Sequence, residues 1–295
     1  MRRSLISLGL AALIVLIWPA TALAAVSDPL LKTSGNYAVL AAATITNTGP
    51  SWITGQLALS PGTSVTGFPP GTVGHQDIAN GAALQARNDA TAAYNTAFGE
   101  AGCTTKGVEL GSLTLGPGLY CNGTMGISAG LTLTLNGGGV YVFQIGSTLV
   151  TGASSRVLLT NGAQPCDIFW QVGSSATIGA STAFVGTILA NTSITMVTAA
   201  TLNGRALAGL IAPSGALTLD TNRIIQPGGC SGGFTTVFAP PAFVPPPAGN
   251  ILPATLGVPW ELINEIPWLL VIAVGAGLGA TVMVVSNRRR RRRSA

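Results

Sequence analysis

Residues able to do acid–base, nucleophilic or metal chemistry are few in this chain of 295 residues, which has 1 His, 4 Cys and 9 Asp+Glu. Only 8% of its residues are charged, against about 25% in an ordinary soluble domain. His75 has no second imidazole with which to hold a metal, and it is the only base available to activate a thiol; a surface or capping role is expected of it. The acids of the body (Asp28, Asp77, Asp89, Glu100, Glu109, Asp167 and Asp220) are scattered, where a polysaccharide-acting β-helix enzyme would need them clustered in a groove. No Gly-rich segment has the strand-to-helix context that phosphate binding requires. No catalytic residue, metal site or cofactor is therefore expected, and that enzyme class is a minor alternative. The chain is rich instead in hydroxyls at regular spacing: Thr148, Thr151 and Ser154; Thr195, Thr198 and Thr201; Thr218 and Thr221; and groups around Thr177 and Thr182. Such residues act by surface contact.

The elements that carry them read as short strands. No charge occurs between Leu110 and Ser155, and the text there is a series of small alternating runs: Ser112-Leu113-Thr114-Leu115, Leu131-Thr132-Leu133-Thr134-Leu135, Val140-Tyr141-Val142-Phe143-Gln144-Ile145. Period-two alternation sends leucines to one side and threonines to the other. Similar runs continue to Leu219, punctuated by Gly, Asn and Ser, as in a solenoid that turns a corner every few residues. Between His75 and Phe98 the period changes. Ala79, Ala83, Ala86, Ala90, Tyr94 and Ala97 recur every three or four residues, which predicts a helix over about 75–98 with an alanine-lined packing face, capped near Asp77. The expected fold is mainly β: an irregular solenoid with one long helix packed alongside. An immunoglobulin-like sandwich is the structural rival, but it has fewer, longer strands and little room for the helix.

A threonine presents a methyl and a hydroxyl together. The methyl orders the water beside it, and the hydroxyl can hold that shell by hydrogen bonding. A charge would orient water around itself and interrupt the array. Solenoid rungs stack about 4.8 Å apart, so matching threonines would form a flat, stiff, uncharged lattice suited to an ordered solid such as ice.

From about Leu31 to Gln226 the chain resembles the large bacterial and fungal ice-binding protein family. The resemblance is carried by Asn36-Tyr37-Ala38-Val39-Leu40-Ala41, Thr44-Ile45-Thr46-Asn47-Thr48-Gly49 and Ile53-Thr54-Gly55, then by Asp89-Ala90 with Ala93-Tyr94 and by Leu115-Gly116-Pro117-Gly118-Leu119-Tyr120. It continues in Gly139 to Ile145, Phe169-Trp170-Gln171-Val172, Phe184 to Ala190 and Leu202-Asn203-Gly204-Arg205-Ala206-Leu207-Ala208. The resemblance implies a mainly β fold, an irregular, discontinuous right-handed β-solenoid of triangular cross-section flanked by one long helix, and adsorption to ice. It also implies a Thr-Ala/Gly-x-Thr/Asn motif, which Thr198-Ala199-Ala200-Thr201 matches and Thr151-Gly152-Ala153-Ser154 matches except at its last position. Arg205 is expected to brace a turn by pairing with a carboxylate such as Asp167. The alternative function is a non-catalytic surface adhesin or structural envelope protein, whose solenoid face would be interrupted by bulky or charged side chains.

The ends read as targeting segments. Arg2 and Arg3 precede the apolar run Leu5 to Ile17 and the small-x-small pattern Ala22-Leu23-Ala24, which predicts a signal peptide over 1–24 and an exported body over 25–226. Residues 227–265 read as a Pro-rich stalk, 266–285 are free of charge and long enough to span a bilayer as a transmembrane helix, and Arg288 to Arg293 are expected in a cytoplasmic tail over 286–295. The expected product is a single-pass cell-surface protein held to the membrane, with its amino-terminal domain outside. Leu252-Pro253-Ala254-Thr255 resembles the sorting signal for sortase attachment to a cell wall, with Leu256 where that pattern has glycine. The net charge of +5 resides in these ends: between Ala25 and Pro240 there are six basic residues against seven acidic, so no nucleic-acid partner is expected. In an exported chain the four cysteines Cys103, Cys121, Cys166 and Cys230 imply two disulfides in one of three connectivities, with Cys103–Cys121 and Cys166–Cys230 favoured.

Overall fold

Alternating runs of three to eight residues become strands that pair in parallel, turn upon turn. The computed structural model describes residues 26–228. The expected signal peptide, sorting signal, membrane span and arginine tail, and nearly all of the stalk, lie outside the described residues. Among the described residues no helix is long and apolar enough to cross a membrane.

A full turn contributes strands to three ladders. The first is a seven-stranded sheet in the order Met125–Ile127, Leu149–Thr151, Ala176–Ile178, Ile194–Met196, Leu217–Asp220, Thr44–Thr48 and Ser64–Thr66, parallel at every step. The second runs through Thr132–Asn136, Arg156–Thr160, Arg223–Ile225 and Trp52–Thr54, with the first halves of Ala183–Ala190 and Thr201–Leu207 between them. The third holds Gly118–Asn122, Tyr141–Ile145, Ile168–Val172, the second halves of the same two long strands, then Tyr37–Ala41, Gln56–Leu59 and Gln76–Ile78. The long strands bend where Gly186 and Gly204 face each other; a Cβ on Gly204 would lie 1.9 Å from the Gly186 carbonyl oxygen. Parallel pairing throughout excludes the antiparallel sandwich.

The interior is apolar because one side of every strand faces it. Aromatic rings stack through its centre: Phe143 and Trp170 have centroids 4.0 Å apart and nearly parallel planes, with Tyr120 and Phe184 extending the pile on either side. The Trp170 indole donates to the Val185 carbonyl at 2.9 Å, which satisfies its single polar atom.

Helix α1, Gly81–Gly99, covers the third ladder. Its buried face is Ala83, Ala86, Ala90, Ala93, Tyr94 and Ala97, small enough to approach Leu40, Ala58, Val142, Phe169 and Leu207 closely. The helix begins later than the sequence pattern suggests. Gln76–Ile78 is a strand, Ala79 takes a positive φ of 49°, and the cap is Asn80, whose side chain accepts from the Ala83 amide at 2.9 Å. Asp77 is instead a buried acceptor for the Tyr37 hydroxyl and the Asn80 amide, both at 2.7 Å. With one ladder under the helix, two solenoid faces remain open to water.

Candidate functional site

The outward side of the seven-stranded sheet places one residue per strand in a single row. Read across the paired strands, that row is Gly126, Val150, Thr177, Thr195, Thr218, Thr46 and Thr66. Five consecutive threonines therefore stand in register, over four steps of about 4.8 Å. Thr46, Thr66 and Thr218 are exposed, whereas Thr177 and Thr195 are half-buried between neighbours. Outward positions along a strand recur every second residue, roughly 6.7 Å apart, so Thr44 and Thr48 flank Thr46. Ser175 and Ser193 flank their own threonines, and their hydroxyls accept from the amides of Ser193 and Ala216 on the next turn at 3.2 and 3.1 Å. The result is a grid of methyls and hydroxyls with no charge in its central row.

Two features keep this grid flat. The inward residues behind it (Leu149, Ala176, Ile194, Leu217 and Ile45 on one column) are fully buried, so each strand is anchored at the same depth. β-Branched threonines have few χ1 states, which limits how far each methyl can wander. The row ends at Gly126 for a steric reason: a Cβ there would meet the Val150 carbonyl oxygen at 2.4 Å. Beyond this point lies an open trough lined by Val108, Glu109, Thr148 and Val150.

The ten hydroxyl residues singled out in the sequence divide among four places. Thr177, Thr195 and Thr218 are in the central row and Thr148 is beside it on the same face. Thr151 and Thr182 are 3% and 0% exposed, so the expectation that they meet a surface is corrected. Thr151 faces inward because it occupies the column of Ile127 and Ile178; its oxygen accepts from the Gly179 amide at 2.9 Å, and Thr182 donates to the Gly152 carbonyl at 3.0 Å. Ser154, Thr198 and Thr221 sit at the corner after the face. Ser154 and Thr221 there adopt positive φ of 59° and 53°, as do Ser181 and Ala199 on intervening turns. The Thr198 hydroxyl is spent on the Asp220 carboxylate. Thr201 belongs to the second ladder, opposite Ala183 and Arg223. A spacing of three thus follows the chain around a corner and does not stay on one face.

Sequence reading missed Thr46 and Thr66 as members of the row. The signal was present in the alternations Thr44-Ile45-Thr46-Asn47-Thr48 and Ser64-Val65-Thr66, but nothing local says that these strands continue a row begun after residue 170. Asn47 shows what the joint requires: buried beneath the face, its amide donates at 2.8 Å to both the Gly49 and Gly67 carbonyls and ties the last two turns together.

The remaining singled-out residues are structural. Cys103–Cys121 is a disulfide with Cα atoms 5.7 Å apart. Cys166 is also disulfide-bonded; its expected partner Cys230 lies outside the described residues. Arg205 is buried and its Nε donates to the Gly35 carbonyl at 3.0 Å. The expected ion pair with Asp167 is not formed among the described residues. A backbone carbonyl is thus one partner of the guanidinium there, while Asp167 and Asp28 line an adjoining cavity of about 320 Å³. Burial raises the pKa of both acids, and for Asp167 the neighbouring Asp28 adds to the rise. His75 is exposed, with Nε2 3.3 Å from Asp77 Oδ1. The Asn80 amide and the Tyr37 hydroxyl hold the Asp77 carboxyl below its ordinary range, and burial beside Asp77 pushes the Tyr37 hydroxyl up to about 12.

Comparison with known proteins agrees with this architecture. The model of the ice-binding-like family matches residues 39–225. An ice-binding protein of Nostoc sp. (strain HG1) is 46% identical over 209 residues, covering 68% of this chain and 75% of the relative. One of Flavobacterium frigoris (strain PS1) is 32% identical over 217 residues, covering 67% and 76%. The crystal structure of an ice-binding protein from an Antarctic biological consortium superposes with a TM-score of 0.65 at 42% identity, covering 68% of this chain and 92% of that one. These matches span both open faces and the helix, and the chain belongs to the ice-binding-like family.

Proposed function

We propose that the chain adsorbs to ice through the outward face of the seven-stranded sheet. The observation that carries this reading is the five-threonine row Thr177, Thr195, Thr218, Thr46 and Thr66 in unbroken register. Each methyl holds a patch of ordered water, each hydroxyl can hydrogen-bond to it, and the stiff backbone repeats the arrangement at a fixed interval. The shell is thus organised before contact, so little ordering is left to be done at the ice surface. The similar proteins bear the name ice-binding protein, which supports the same reading. Thermal hysteresis and crystal shaping of the purified protein test it: faceted crystals and a freezing-point gap are expected, and unshaped crystals at high protein concentration would overturn it.

We further propose that this domain is exported and held at the cell surface by the carboxy-terminal segment. The support is the amino-terminal 1–24 pattern, the uncharged 266–285 stretch and the Arg288 to Arg293 run that follows it. Protease shaving of intact cells is expected to release the threonine-faced domain and to leave a short membrane-bound remnant. Recovery of the whole chain in the culture medium would reject the anchor. Release by a muramidase in the absence of protease would point to wall attachment at Leu252-Pro253-Ala254-Thr255.

A further inference from the structure

The second open face is built on the same turns but carries a different row. Arg156, Ala183, Thr201, Arg223 and Trp52 stand opposite one another on successive strands. The two arginines are three strand steps apart, about 14 Å along the solenoid axis. Between them Ala183 and Thr201 are small, so the row forms a furrow with a guanidinium at each end. Trp52 extends it: the residue is 60% exposed and its ring centroid lies 5.9 Å from the Arg223 guanidinium carbon. Val185, Asn203, Ile225 and Thr54 form the adjacent row and line the furrow's side. Among the described residues neither arginine is paired with a carboxylate, and no acid occupies either row.

We propose that this furrow is a docking surface for an acidic polysaccharide lying along the solenoid axis. Carboxylates of the polymer pair with Arg156 and Arg223, and a sugar ring lies on Trp52. A guanidinium fork matches a carboxylate with two parallel hydrogen bonds, and the flat apolar face of an indole suits the C–H face of a pyranose while its N–H remains available to a hydroxyl. Charge density selects this class of partner. Duplex nucleic acid carries one negative charge per about 1.7 Å and is held by dense Lys and Arg, and an anionic membrane is held by clusters of about four to eight basic residues. Two guanidiniums so far apart fit a polymer whose charges are sparse. A neutral polymer would leave them unused.

Affinity electrophoresis and calorimetry of the full chain at low salt test the proposal, with alginate as the polyuronate and with neutral dextran, duplex DNA and phosphatidylglycerol vesicles in parallel. Alginate binding is expected, with no retardation by dextran. The double variant Arg156→Ser/Arg223→Ser is expected to weaken alginate binding roughly tenfold or more, because both charge-assisted contacts are lost. Trp52→Ala is expected to weaken it about threefold while leaving its salt dependence unchanged, since stacking is not screened. All three side chains are exposed, so an unchanged melting temperature is expected in each variant. Thr195→Glu, on the other face, leaves alginate binding intact. Equal binding of dextran, undiminished alginate binding by the double variant, or DNA or vesicle binding that is tighter than alginate binding and lost in the double variant would each overturn the proposal.

Discussion

The two open faces of this solenoid share a backbone, a rung spacing and an apolar interior, yet they present opposite chemistry. One shows Thr177, Thr195, Thr218, Thr46 and Thr66 in a row free of charge. The other shows Arg156, Ala183, Thr201, Arg223 and Trp52. Burial explains how both coexist. Only inward side chains must be apolar and of matching size, so outward positions are free to specialise one face at a time. Regularity is the mark of a face that meets a lattice, and interruption by bulky or charged side chains is the mark of one that meets something softer.

Substitution at matched depth should separate the faces most sharply. Thr195→Glu puts a charge in the centre of the row and is expected to lower thermal hysteresis about tenfold, because a carboxylate orients water around itself and must be desolvated at the ice surface. Thr201→Glu, on the other face, is expected to leave hysteresis unchanged. If Thr201→Glu abolishes hysteresis and Thr195→Glu spares it, the threonine face has been misassigned.

The end of the row offers the next test. Gly126→Thr forces a Cβ against the Val150 carbonyl oxygen and is expected to cost roughly 1–3 kcal/mol of stability, seen in denaturant titration. Val150→Thr, nearly isosteric and exposed at 51%, is expected to keep the fold and extend the row by one position. A modest rise in hysteresis follows if row length sets adsorption; a fall would show that Val150 itself contributes its apolar surface.

A pH series distinguishes the faces from the fold beneath them. The central threonine row has no titratable group, so hysteresis is expected to be constant between about pH 5 and 9. The acid limit belongs to carboxylates elsewhere. Asp77 is lowered chiefly by the Asn80 amide. Burial opposes ionisation of Asp89 and Glu109, yet hydrogen bonds from Thr33 and Gln85 to the first, and from Ser128 and Gly111 to the second, bring both below their ordinary values. A carboxyl depressed in the folded state stabilises it above the unfolded pKa and loses that contribution as pH falls through the depressed one. Asp28 and Asp167, raised by burial, act with the opposite sign and add stability as pH falls toward that range. Melting temperature should therefore not fall until pH drops below the ordinary aspartate and glutamate values of 3.8 and 4.5, and hysteresis should fail only with it. Earlier loss of hysteresis, with melting unchanged, would place a titrating group on the binding face.

The smallest effect concerns the corner between the faces. Ala199 holds a φ of 60°, a conformation that disfavours any residue with a Cβ. Ala199→Gly is expected to stabilise the domain by about 0.5–1 kcal/mol, measured by thermal melting, with hysteresis unaltered. A loss of hysteresis there would mean that the corner, and not the sheet, makes the contact.

Much of this is legible in the sequence. Period-two alternation separated inside from outside on strands such as Thr132–Asn136, and the change of period around residue 80 disclosed the helix. The family motifs foretold the solenoid. The corner residues misled, because a left-handed turn at Ser154 or Thr221 rotates the next hydroxyl off the face while the linear spacing continues. The buried pair Thr151 and Thr182 misled for a related reason: a threonine among threonines gives no sign of which one points inward.

By itself, then, the sequence determined which side of a strand faces water where leucines or isoleucines alternate with hydroxyls, as in Thr132–Asn136, since that follows from neighbours one and two residues away. Only the tertiary structure decided which strands lie next to one another. The Thr44–Thr48 strand stands between Ser64–Thr66 and Leu217–Asp220, and a row of threonines becomes a face when partners distant in the chain are hydrogen-bonded in register. Backbone pairing sets that register, and every residue except proline can offer it regardless of its side chain.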